Sequence, residues 1–277
     1  MPSNDHLGRK LVFIAAFLWL GTTTAWAQKI PHSHAAEGAG NIASVELIDA
    51  TQRYAHFVLG DRFEASGFQV TFKDGQQIQF ALPPSEVFED RLPRLVDLNG
   101  DGQQELVLVQ SHVDKGASLA VYDLTLGSIE LLAQTPYIGQ PNRWLNPAGI
   151  ADFDGDGQIE IALVAKPHLA KELQLWRFAK GQLSLISTHQ GFSNHRLGSR
   201  EQRLSVVFDD NGDGIVDLAL PNASRNAIHI VSFVPQFDVL RTYLLADELA
   251  GPLTKTGDTL VAPLRNGSSM RLQLVAD

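Results

Sequence analysis

Three short stretches of the chain carry carboxylates at spacings that suit one chemistry. Residues 95–109 read LVDLNGDGQQELVLV, residues 150–164 read IADFDGDGQIEIALV, and residues 207–220 read VFDDNGDGIVDLAL. The shared pattern is D-x-[DN]-x-D-G-x-x-[DE]. Its first aspartates are Asp97, Asp152 and Asp209, 55 and 57 residues apart. Calcium takes about six to eight oxygens at short range, and side chains at loop positions 1, 3 and 5 can converge on one ion. Those positions are Asp97, Asn99 and Asp101; Asp152, Asp154 and Asp156; Asp209, Asn211 and Asp213. Position 6 is Gly102, Gly157 or Gly214, where the chain turns sharply and glycine tolerates a positive φ. Position 7 offers a backbone carbonyl from Gln103, Gln158 or Ile215. Position 9 closes the shell with Glu105, Glu160 or Asp217. The middle loop has four carboxylates and each outer loop three, so charge alone ranks the middle loop as the strongest site.

The elements that follow these loops decide what kind of loop they are. A helical calcium hand carries its last glutamate at position 12 and runs on as a helix. Here position 12 is Leu108, Leu163 or Leu220, inside runs such as LVLVQ and IALVA that favour strands. Each loop therefore sits between strands. Around the first loop the strand candidates are RLVDL, ELVLVQ, SLAVYDL and SIELLAQ. Around the second they are GIADF, EIALVA, LQLWRF and LSLIST, and around the third LSVVF, VDLALP, AIHIVSF and VLRTYLL. Four short strands per repeat, with Gly, Asn or Asp turns between them, predict an all-β propeller. About five four-stranded blades are expected, with calcium loops in the three central ones.

The two flanking blades are degenerate. Residues 44–83 give SVELIDA, YAHFVLG, FQVTFKDG and QIQFALP. Thr51 and Arg53 stand where ligands would be, so no ion is expected there. TLVAPLR and MRLQLVAD supply a partial last unit, which residues around 41–49 could complete to close a ring.

These residues resemble the FG-GAP/VCBS-type repeats of integrin α-chain propellers and of many bacterial exported proteins. The resemblance covers residues of about 92–245 well. It implies calcium held at loop positions 1, 3, 5 and 9, between the first two strands of a blade. The tripeptides that name the family are poorly kept: Ala165-Lys166-Pro167 and Leu220-Pro221-Asn222 stand near the expected place. That departure favours the looser bacterial branch. The resemblance implies a fold and an ion rather than one activity.

The remaining composition narrows the function. The 277 residues carry a net charge of −9 with no basic cluster, which argues against nucleic acid and anionic membranes. There is no cysteine, which excludes disulfides, thiolate metal sites and cysteine nucleophiles. Residues 1–27 read as an export signal, with Arg9 and Lys10 before an apolar run and Ala25-Trp26-Ala27 at its end. Residues 28–40 read as a flexible lead-in and residues 41–277 as the propeller, in a periplasmic or secreted protein. No later segment is long and apolar enough to span a bilayer.

The acidic pairs lie in the metal loops, and the histidines form no catalytic motif. The expectation is therefore a binding module for a protein or glycan ligand. A calcium-dependent polysaccharide enzyme and a structural envelope subunit are the alternatives. Candidate contact segments are Pro141-Asn142-Arg143-Trp144 and Asn194-His195-Arg196. The plain alternative for them is that Trp144 packs between blades and Arg143 pairs with a carboxylate.

Overall fold

Apolar runs without alternation, such as ELVLVQ and EIALVA, suit strands covered on both faces. The computed structural model, which describes residues 27–274, builds them that way. Its first sheet holds β1 (Ala36–Glu37), β2 (Ile42–Thr51), β3 (Glu64–Phe72), β4 (Gln77–Ala81), β5 (Glu86–Phe88), β6 (Arg94–Val96), β7 (Glu105–His112), β8 (Gly116–Thr125) and β9 (Ser128–Gln134). The second is β10 (Leu145–Ala151), β11 (Glu160–Ala165), β12 (Glu172–Ala179) and β13 (Gln182–Gln190). The third is β14 (Val206–Phe208), β15 (Asp217–Pro221), β16 (Ala227–Ser232) and β17 (Asp238–Leu244). The last is β18 (Thr254–Thr256), β19 (Thr259–Pro263) and β20 (Ser269–Gln273). All pairings are antiparallel. No helix occurs among the described residues, and so none is long and apolar enough to cross a membrane.

The three units that carry the acidic loops are four-stranded meanders: β6–β9, β10–β13 and β14–β17. Each has a register shift between its third and fourth strands, at Val121/Tyr122, Leu175/Trp176 and Ile230/Val231. The second strand of each unit is buried throughout or nearly so, whereas the fourth is mostly half-buried in β9 and largely exposed in β13 and β17.

Period two then splits each second strand between two cores. Leu106 and Leu108 pack toward β2 and β3, and Val107 and Val109 toward the second sheet. Ile161 and Leu163 face back, while Ala162 and Val164 face the third sheet. Leu218 and Leu220 face back, while Ala219 joins the core shared with β19 and β20. Four cores thus lie between successive units. The inner strands β6 and β10 and the segment leading into β14 line one cavity of about 370 Å³.

The flanking units differ from the expectation in three ways. YAHFVLG forms no strand. Tyr54, Val58 and Leu59 are buried, but Phe57 and Gly60 hold positive φ values of 57° and 79°, which a strand cannot accommodate. A Cβ at Gly60 would come within 2.4 Å of the Gly198 carbonyl oxygen, so the close approach also demands glycine. Residues 42–51 pair with β1 and β3 and not with the last sheet, which keeps three strands. Residues 28–40 lie against the first sheet and do not trail from it: Ile30 is buried and donates to Leu47 O, and His34 donates to Arg91 O. The export segment expected at 1–27 lies, except for Ala27, outside the described residues.

Segment 52–63 instead covers one end of the inner strands. Tyr54 Oη accepts from the Asn142 amide at 2.8 Å, just before β10. His56 Nδ1 meets Glu89 Oε1 at 2.6 Å, before β6. Val58 O accepts from the Gly198 amide at 2.8 Å, and Asp61 pairs with Arg200 at 2.6 Å, both before β14. The acidic loops follow the inner strands and so lie at the other end. Beneath the segment, Arg91 meets Glu64 at 2.9 Å with both side chains buried. Burial pushes the Glu64 carboxyl up to about 8, while Arg91 pulls the other way.

Candidate metal centres

The three loops repeat one hydrogen-bond scheme. The carboxylate at position 1 accepts from two glycine amides, at positions 4 and 6. For Asp97 the donors are Gly100 and Gly102 at 2.7 and 2.9 Å. For Asp152 they are Gly155 and Gly157 at 2.7 and 2.9 Å. For Asp209 they are Gly212 and Gly214 at 2.7 and 3.0 Å. All six glycines have positive φ, between 74° and 85°. Two left-handed residues so close together are what wrap the chain around the carboxylate, and glycine takes that conformation without strain. Position 5 accepts from the position 7 amide at 2.8 Å in the first and third loops and 2.9 Å in the second.

Position 9 starts the second strand and reaches back across the turn. Glu105 accepts from the Leu98 amide at 2.8 Å, Glu160 from Phe153 at 2.9 Å, and Asp217 from Asp210 at 3.0 Å. All three acids are buried. Burial pushes each of them up, and neighbouring carboxylates push the same way: Asp101 and Asp97 for Glu105, Asp154 for Glu160, Asp213 and Asp210 for Asp217. A buried carboxylate among other carboxylates calls for a cation.

The ligand positions expected from the sequence all fall in these turns. In the middle loop the ligand atoms of Asp152, Asp154 and Asp156 lie within 4.8 Å of one another. Asn99 and Asn211 hold position 3 in the outer loops, where Asn99 Nδ2 donates to Asp101 at 3.2 Å and Glu105 at 3.1 Å, and Asn211 Nδ2 to Asp213 at 3.0 Å.

The middle loop has a partner that charge counting along the loop does not reveal. Arg177 on β12 lies opposite Glu160 in the strand register. Its Nε donates to Glu160 at 2.8 Å, Nη1 meets Asp156 at 3.0 Å, and Nη2 bonds Asp154. One guanidinium thus engages three of the four carboxylates. The corresponding ladders of the other two units end one pair short of this place, at Leu106–Tyr122 and Leu218–Val231, and the next residues on their third strands are Asp123 and Ser232. Asp123 is pushed up by burial and by nearby acids including Asp101. The residue at this place on the third strand therefore differs in charge, negative, positive and neutral, and beside the third loop Arg241 on β17 donates to Asp210 at 2.6 Å. The donor sets of the first and third loops fit calcium. That of the middle loop fits it only when Arg177 yields.

The opposite end holds a second set of titratable groups. Trp144 is buried, and its indole N–H donates to Glu89 O at 2.9 Å, so it packs as a wall. His195 Nε2 lies 2.9 Å from Ser199 O, and His195 Nδ1 lies 3.0 Å from His168 Nε2. A carbonyl only accepts, so His195 carries its proton on Nε2 and accepts on Nδ1 from His168 Nε2–H. Burial pushes His195 down to about 3 and His168 down to about 4, so both rings are neutral near pH 7 and His168 Nδ1 is a bare acceptor.

For a base whose folded value lies below its unfolded one, the stabilisation is complete above about 6.5 and is lost as pH falls toward 4. For His168 alone that amounts to about 3 kcal/mol. Nitrogen NMR of the imidazoles is expected to show both rings as neutral Nε2–H tautomers from pH 7 down to 5. A protonated pattern from either ring at pH 5 counts against this arrangement. No local pattern announces the His168–His195 pair, because the two rings stand 27 residues apart, one after β11 and one before β14.

The fold and its loops define an all-β repeat protein with glycine-wrapped aspartate turns. The FG-GAP-like repeat family matches residues 97–163, which span the first two loops and the strands between them. This stretch is similar to an FG-GAP-like repeat. No curated protein matches the chain.

Proposed function

We propose that the protein is an exported, calcium-binding β-propeller of about five blades that serves as a binding module rather than an enzyme. The observation that carries this reading is the threefold loop, with its position 1 carboxylate held by paired glycine amides and its position 9 carboxylate buried among other acids. Calcium would be held by Asp97, Asn99, Asp101, Glu105 and the Gln103 carbonyl in the first loop, and by Asp209, Asn211, Asp213, Asp217 and the Ile215 carbonyl in the third. It would neutralise buried charge and fix the turns from which the second strands start. The four cores between successive units support a propeller-like stack.

An array of proteins and glycans probed with the labelled protein tests the reading. Binding that needs calcium and disappears with a chelator is the expected result. Calcium-dependent turnover of a polysaccharide would support the enzymatic alternative and sink the module.

A further inference from the structure

At the end away from the acidic loops, residues 56, 142–144, 166, 168, 169 and 197 line a pocket of about 180 Å³. The chain carries a net charge of −9, yet no carboxylate lines this pocket. Arg143, Lys166 and His56 line it instead. Arg143 is half-buried; its Nη1 donates to the Asn142 carbonyl at 2.9 Å, and it forms no ion pair among the described residues. Exposed Arg196, next to the pocket residue Leu197, likewise has no ion pair among the described residues. Lys166 reaches Glu172 at 3.3 Å. A half-desolvated guanidinium with only a neutral acceptor is matched well by an incoming carboxylate, which it can grip with two N–H groups.

The remaining walls choose between anionic ligands. Leu169 and Leu197 line the opening and are 62% and 61% exposed. Trp144 is buried and offers no open ring face of the kind a sugar stacks on. Branched aliphatic groups beside unpaired arginines complement an acidic residue next to an aliphatic one. His168 Nδ1, bare for the reason given above, can accept an N–H from a peptide backbone. The walls are already fixed, Trp144 by Glu89 O and His168 by His195, so little order is lost on binding.

We propose that this pocket docks an acidic–aliphatic segment of a partner protein, with the segment's carboxylate on Arg143 and Lys166 and its aliphatic side chain against Leu169 and Leu197. The proposal rests on the reading of the protein as a binding module and gives that module a place and a ligand class.

The probe is the acetylated and amidated pentapeptide Leu-Glu-Leu-Glu-Leu, titrated into the full isotope-labelled protein and followed by NMR. Shifts centred on the Trp144 indole N–H and the His168 ring are expected. Arg143→Gln, or glutamine in place of both peptide glutamates, should weaken binding by about tenfold or more. Leu169→Ser, an exposed change, should weaken it several-fold with the melting temperature unchanged. Absence of binding up to about 10 mM overturns the proposal, as does an affinity indifferent to Arg143→Gln. An oligogalacturonate that moves these signals where the peptide does not also overturns it. The calcium-induced melting shift is read on the same samples. Its absence counts against the calcium reading alone, whereas a peptide bound elsewhere removes this pocket and leaves the binding module standing.

Discussion

Saturating calcium is expected to raise the melting temperature, and a chelator to lower it again. The loops explain why. Glu105 is buried beside Asp97 and Asp101, and Asp217 beside Asp213 and Asp210, of which only Asp210 has an arginine partner among the described residues, so their burial costs free energy that folding must overcome. An ion bound only by the folded turns stabilises by mass action, about 2.7 kcal/mol per site at a concentration 100-fold above the dissociation constant. For a domain of this size that corresponds to roughly 5–10 °C per site. Differential scanning calorimetry with and without calcium measures it, with magnesium as the control for general salt effects. An unchanged curve would falsify the metal reading of the loops.

Arg177→Gln is expected to move two quantities in opposite directions. Without calcium the variant melts lower, because Asp154, Asp156 and Glu160 lose the guanidinium that neutralises them. With calcium its melting shift is larger than that of the parent, because the ion no longer competes with a resident cation. The contacts given up are hydrogen bonds between charged groups, each worth about 1.5–3 kcal/mol in partly buried settings, or roughly 10- to 100-fold in calcium affinity. Calorimetric titration of calcium resolves the change. In the parent protein Arg177 occupies the middle loop, whereas no ion pair engages Asp97, Asp101 or Glu105 among the described residues, so Asp97→Ala is expected to reduce the calcium-dependent shift more than Asp152→Ala does. Equal losses, or a larger one at Asp152, would show that the guanidinium does not yield its place to calcium on unfavourable terms.

The loops were legible because their chemistry is local. Nine consecutive residues hold every expected ligand position, and two glycines announce the wrap. The second strands were legible for a related reason, since runs such as EIALVA are apolar at every position only when both faces are covered. Arg177 was not legible. It stands 17 residues beyond Glu160, and only the hairpin register brings the two together. YAHFVLG was misread because burial over the inner strands leaves the same apolar signature as a strand. What tells them apart is a positive φ at Phe57, a dihedral that composition does not encode. The His168–His195 pair depends on a contact between the second unit and the approach to the third, which no local pattern names.

The segment from 52 to 63 also bears on how the molecule comes apart. Each core is shared by two neighbours, so a unit that opens strips cover from the next, and unfolding would run along the stack as a front from whichever end frays first. Tyr54, His56, Val58 and Asp61 break that serial logic. They clasp the first unit to the approaches of three others, including one more than a hundred residues away. A front arriving from either side must release the clasp before it can pass. The stack is thereby turned from a row of dominoes into a single cooperative body.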